Sequence, residues 1–162
     1  MATTPTVALP TPATSDASTS AEALNSLLRG EISAVETYEQ AMPKFEDSEH
    51  QATLKAVCDE HHTTIDTLRE KVRAAGGEPA TGSGPWGAFT AVVTGAAKLI
   101  GPQSVLAALK QGEEHGISQY EKSLEADGLT PESKNLVRAE LLPRCRKHVA
   151  QLETMIAVVS KS

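Results

Sequence analysis

The feature that most restricts the fold is a helical rhythm that returns in four long stretches. Apolar residues recur every three or four positions at Leu24, Leu27/Leu28, Ala34/Val35, Tyr38 and Ala41/Met42, and again at Leu54, Val57, Ile65, Leu68 and Val72. They recur a third time at Leu106, Leu109, Ile117, Tyr120 and Leu124, and a fourth at Leu141, Val149, Leu152, Ile156 and Val159. Such a stripe turns one face of a helix toward a core and leaves the others to water. Helix starts and stops separate the four. Thr19 with Glu22 has the spacing of a capping box, and Pro43 ends the first helix. Ser48 with Gln51 marks the second start, and Gly76-Gly77 the stop. The third helix is expected from Gln103 to Ala126, between Gly101-Pro102 and Asp127-Gly128. Thr130-Pro131, a cap followed by a first-turn proline, opens the fourth, which runs to Val159.

The link between the first two helices is short, so they should lie antiparallel. The second and third are joined by a long connection, a loop over 78–84 followed by a small-residue, weakly helical stretch over 85–100. The expected architecture is therefore an all-α four-helix bundle over 19–162, with one long crossover containing a short helix. Residues 1–18, rich in Thr, Ala, Pro and Ser, are expected to form a disordered tail.

Composition narrows the function classes. With aromatics at 3%, the core must be filled by Leu, Val, Ile and Ala. Fifteen basic against 21 acidic residues give a net charge of −6 with no basic block, which excludes a partner such as nucleic acid that is held by its phosphates. No apolar run is long enough to span a membrane; the longest, around 86–100, is interrupted by Lys98 and glycines. Two distant cysteines are too few for a disulfide scaffold, and the N-terminus lacks the basic and apolar regions of a signal peptide. A cytoplasmic location is the expectation.

The two halves of the chain repeat one another. Gly30-Glu31 is followed seven residues later by Tyr38-Glu39, and Gly112-Glu113 seven later by Tyr120-Glu121. The second helix carries Cys58-Asp-Glu-His61 and the fourth Cys145-Arg-Lys-His148. The order is thus Glu, C-x-x-H, Glu, C-x-x-H, one element per helix. Glu31, Cys58, His61, Glu113, Cys145 and His148 all fall on core stripes, so all six should point into the bundle at one level. Two buried glutamates facing histidines and cysteines are costly unless paired or neutralised, and a metal cation would neutralise them.

This layout resembles the ferritin-like superfamily of carboxylate-bridged dimetal proteins, the bacterioferritins, rubrerythrins and their relatives, over roughly residues 20–159. More narrowly, it is similar to an uncharacterised bacterial group of ferritin-like bundles. In the superfamily, two helices each give one Glu and the other two an E-x-x-H pair. Here C-x-x-H stands in place of E-x-x-H, twice. Carried over by position, Cys58 and Cys145 would bridge two metals as thiolates, His61 and His148 would bind one metal each, and Glu31 and Glu113 would be terminal ligands. Thiolates turn the preference toward two copper ions, a ligand set similar to the CuA electron-transfer centre, with zinc or iron as alternatives. Electron transfer or redox chemistry with an unidentified redox partner is the expected role, in a chain that could also form a homodimer.

Other readings stand beside it. One zinc held by the two Cys and two His would be structural or a metal store. A di-iron oxidase or peroxidase of rubrerythrin type would lack its bridging carboxylates, and a disulfide between the cysteines is a further alternative. Tyr38 and Tyr120 are placed either to hydrogen-bond the carboxylates or to serve as core aromatics. Gly30 and Gly112 suggest a close approach of helices, and Pro143 should free the carbonyl of Ala139 and bend the fourth helix. His62 and His115 point off the stripe, with His115 the better spare ligand. His50, Glu70, Lys71, Arg144, Arg146 and Lys147 read as solvated surface.

Overall fold

A computed structural model describes residues 13–86 and 101–161. Among these residues there is no strand, and four helices run the length of a bundle. Helix α1 spans Ala13–Ala41, α2 Ser48–Ala74 and α3 Pro102–Glu125. Helix α4 starts as Pro131–Leu136, passes through a π-helical turn at Val137–Leu141 and continues as Leu142–Val159.

The boundaries follow local chemistry. Pro43 lies in the 3-10 turn Met42–Lys44 that closes α1. The cap of α2 is Asp47, one residue before the expected Ser48, because its carboxylate accepts from the Glu49 N–H at 2.8 Å. The stop is the expected glycine pair: Gly76 takes a positive φ of 77°, and Gly77 N–H donates to Val72 O at 3.0 Å. Thr130 caps α4 by accepting from Ser133 N–H at 3.2 Å. At its other end the chain departs from expectation, since α1 begins at Ala13 and Thr19 and Glu22 lie inside it. Residues 13–18, expected in the tail, are the first turns of α1; residues 16–19 are exposed, and burial begins at Ser20 and Ala21. The proposed crossover helix over 85–100 lies almost wholly outside the described residues, of which the last before the gap form the 3-10 turn Gly84–Trp86.

Packing makes two antiparallel hairpins. α1 packs along α2 and α3 along α4, whereas α1 and α3 meet more thinly. The predicted stripes supply the core: Leu28, Leu54, Leu68, Leu106 and Leu152 are fully buried. Each such burial stabilises the fold by about 1.5–3 kcal/mol. The connection leaving α2 is tied to α1 by Asn25, which donates to Glu78 O at 2.8 Å and accepts from Ala80 N–H at 2.8 Å.

Pro143 stands in the first turn after the π segment of α4. Just upstream of it, Leu142 N–H returns to Val137 O. A π turn adds one residue to the local period, so it re-aims everything after it, including Cys145 and His148.

Candidate metal centre

Buried charge collects at mid-bundle, where all four helices contribute. Glu31 comes from α1, His61 from α2, Glu113 from α3, and Cys145 and His148 from α4; all five are buried. His61 is the hub. Its Nδ1 lies 2.8 Å from Glu31 Oε2 and its Nε2 2.9 Å from Glu113 Oε1. Carboxylates only accept, so both ring nitrogens donate and the imidazole is charged. Burial by itself would lower its pKa, but the charges and hydrogen bonds of Glu31 and Glu113 outweigh that and push it up to about 10. Glu113 is held far below the ordinary carboxylate range: burial would raise it, and the His61 and His148 imidazoles overcome that.

The remaining lone pairs are filled by tyrosines. Tyr38 donates to Glu113 Oε1 at 2.7 Å, and Tyr120 donates to Glu31 Oε1. Burial and the adjacent carboxylates lift both phenols well above their ordinary value, so they stay protonated donors. Cys145 donates to Glu113 Oε2 at 3.0 Å; burial and that carboxylate push its thiol far up, which disfavours thiolate in the metal-free protein.

His148 faces His61, with ring centroids 4.9 Å apart. Its Nδ1 is 3.4 Å from Glu113 Oε2, and its Nε2 is 3.1 Å from Glu60 Oε2. Glu60 was not foreseen. It is ion-paired with Lys147 and lies 3.8 Å from Arg144 Nε. Burial would raise its pKa, and hydrogen bonds from Lys147 and His148 lower it instead. A signal for it was present, because Glu60 and Lys147 hold the same place in the two C-x-x-H segments and carry opposite charge.

The donor atoms of His61, Glu113 and His148 all lie within 4.8 Å of one another, the one such group of metal-ligating side chains among the described residues. Glu31 and Cys145 are each hydrogen-bonded to a member of it. Cys58 is the exception to the expected set of six. It is buried among apolar side chains, and burial with neighbouring Glu39 raises its thiol to about 11. Neither Cys58 nor Cys145 is bonded to another cysteine.

Other expectations sort in the same way. His62 is exposed, 4.0 Å from Glu39. Arg144, read as solvated, is half-buried and donates to Thr64 Oγ1 at 2.7 Å. Gly30 does not mark a close approach: a Cβ built on it would meet nothing within 4 Å. It lines instead a cleft of about 70 Å³ between α1 and α3, with Glu31, His61, Glu113 and Cys145 among the lining residues and His115 exposed on its wall.

Comparison with known proteins agrees with this architecture. The family described as a domain of unknown function, DUF2383, matches residues 19–126. A crystal structure titled as ferritin-like, diiron-carboxylate proteins from Bacillus anthracis str. Ames superposes with a TM-score of 0.55 at 19% identity, covering 91% of this chain and 96% of that one. The bundle is ferritin-like in fold. No curated protein matches the sequence.

Proposed function

The chain belongs to the DUF2383 family, and we propose that its bundle is a metal-binding protein whose ion is iron, held by His61, Glu113 and His148. The observation that carries this is the buried convergence of those three side chains, with donor atoms within 4.8 Å. Two imidazoles and one carboxylate are the donor set that suits non-haem Fe(II). Two buried carboxylates, Glu31 and Glu113, stand at the centre beside the imidazoles, acidic groups that a bound cation would neutralise. Bound iron would supply redox chemistry. The residues around it would position the ligands, with Tyr38 holding Glu113, Tyr120 holding Glu31, and Glu60 holding Nε2 of His148 so that Nδ1 faces the centre.

The structural relative is described as a diiron-carboxylate protein. Here one ion is favoured over two, because cysteines replace the two carboxylates that the dimetal pattern draws from its E-x-x-H segments. A thiolate-bridged copper pair would need both cysteines, and only Cys145 reaches the group. That one sulfur, 3.0 Å from Glu113 Oε2, is the observation that favours a softer ion such as zinc or copper as the second reading. Two unpaired thiols are in keeping with a reducing compartment such as the cytoplasm.

The test is to load metal-free protein anaerobically with Fe(II), Zn(II) or Cu(I) and measure what is retained after desalting. Fe(II) should be retained by the wild type and by Cys58→Ser, and lost from Glu113→Gln and His148→Gln. Undiminished iron in Glu113→Gln would overturn the reading. Copper retained alone, and lost with Cys58→Ser, would replace it with the thiolate-bridged centre.

A further inference from the structure

The cleft between α1 and α3 reaches two of the candidate ligands, His61 and Glu113, and its walls extend well beyond them. It arises where two hairpins meet thinly, and its walls are made of small residues from both sides: Gly30 and Ala34 on α1, Gly112 and Gly116 on α3. These wall residues are partly exposed, whereas Glu31, Glu113 and Cys145, which also line it, are buried. The cleft therefore runs from the surface to the candidate ligands. Well-packed bundles leave few voids of this size, and a void of about 70 Å³ against a helix interior is room for a molecule of a few heavy atoms.

We infer that this cleft is the route by which a small neutral molecule reaches the metal, and that Gly30 keeps it open. The inference rests on the metal-binding reading for its purpose, and on the cavity alone for its existence. Glycine is a poor choice in the middle of a helix, since it gives up the conformational freedom that alanine would not. No contact demands it at position 30, where a built Cβ meets nothing within 4 Å. The space beyond that Cβ is the cleft, one residue from the Glu31 carboxylate. The chemistry of the walls selects the visitor. Glu31 and Glu113 at the deep end repel anions, and the walls are mostly apolar, so an uncharged molecule is favoured over a charged one.

The test fills the cleft with Gly30→Leu and uses Gly82→Val as control, a position with nothing near its Cβ and outside the cleft. Leucine is a far better helix former than glycine, so Gly30→Leu should fold with an unchanged or higher thermal midpoint. Two readouts follow. In metal-free protein, methyl methanethiosulfonate, small and neutral, should label Cys145 at least tenfold more slowly in Gly30→Leu than in wild type or Gly82→Val, with Cys58 labelling unchanged, as read by peptide mass mapping. In Fe(II)-loaded protein, nitric oxide should bind at least tenfold more slowly in Gly30→Leu at equal iron content.

Equal Cys145 labelling in Gly30→Leu and wild type would overturn the route; where the protonated wild-type thiol does not label at all, nitric oxide binding to the Fe(II)-loaded protein decides, and equal rates in the two proteins would overturn it. The labelling needs no metal, so a protein that takes up no iron would fail the metal-binding reading while leaving the cleft decided by the first readout. Iron bound normally, with nitric oxide binding unaffected by Gly30→Leu, would keep the metal centre and overturn the route.

Discussion

Tyr38 of α1 donates its hydroxyl hydrogen to Glu113 of α3 at 2.7 Å, and not to Glu31, the glutamate of its own helix. Tyr120 of α3 returns the bond to Glu31 of α1. The two Glu-x6-Tyr segments are thus exchanged across the bundle, each tyrosine serving the other half's carboxylate. Both carboxylates then grip the same imidazole, His61, so the polar centre ties three helices through one side chain.

The first prediction concerns that exchange. Tyr38→Phe and Tyr120→Phe each remove a buried hydrogen bond to a carboxylate and should destabilise the metal-free protein by about 1.5–3 kcal/mol. Because Glu31 and Glu113 share His61, the double variant should depart from additivity by about 0.5 kcal/mol or more. Urea unfolding of the four proteins measures both quantities, and a strictly additive cycle would mean that the two carboxylates act independently.

A second prediction concerns pH. His61 has its pKa raised to about 10 in the folded protein, so its contribution to stability is complete below its unfolded value near 6.5. It is lost as pH climbs from there through about 10. Glu113 has its pKa lowered, so its contribution is present above the ordinary carboxylate value of about 4.3 and lost as pH falls below it. Metal-free protein should therefore be most stable between roughly pH 5 and 6.5, weakening on both sides. Thermal midpoints recorded across pH 3 to 10, with a flat profile above pH 7, would contradict the charged state assigned to His61.

Metal uptake should run the other way. A cation bound at His61 must displace the proton that Glu31 and Glu113 hold there, so apparent affinity should rise with pH until that proton is gone. Titrations with Fe(II) in two buffers of different ionisation enthalpy would reveal the released proton. Binding that releases none would place the ion away from His61.

Two glycines separate packing from conformation. A Cβ on Gly77 would sit 2.6 Å from Ala21 Cβ and 3.2 Å from Val72 Cγ1, so Gly77→Ala should cost about 1–3 kcal/mol by overpacking. Gly30→Ala, with open space around it, should stabilise by about 0.5–1 kcal/mol through helix propensity alone. Chemical denaturation compares the two directly, and a penalty at position 30 would mean that the cleft is not open there.

Much of this centre could be read from the chain because helical periodicity is local. Once Leu27, Val35, Leu54 and Leu152 are placed in a core, simple counting puts Glu31, His61 and His148 beside them. The same counting put Cys58 in the core, and it is there. What counting does not supply is distance. Residues three or four apart share a face that is about 100° wide, and a ligand sphere needs agreement within a few tenths of an ångström. Cys58 and Cys145 occupy equal places in the repeat, yet only Cys145 reaches Glu113, beyond a π turn that has no counterpart in α2.

Stripes, caps and breakers, acting over a few residues, specify the four helices, the faces they turn to a core and the acidic and imidazole character of the centre. The partners inside it depend on how the helices rotate and slide against one another. That decided the crossed tyrosines, the pairing of Glu60 with Lys147 and His148, the exclusion of Cys58 and the open cleft beside Gly30. The physical reason is one of range: a hydrogen bond within a helix is fixed by the pitch of one backbone, whereas a bond between helices is fixed by the packing of every side chain that sets their separation.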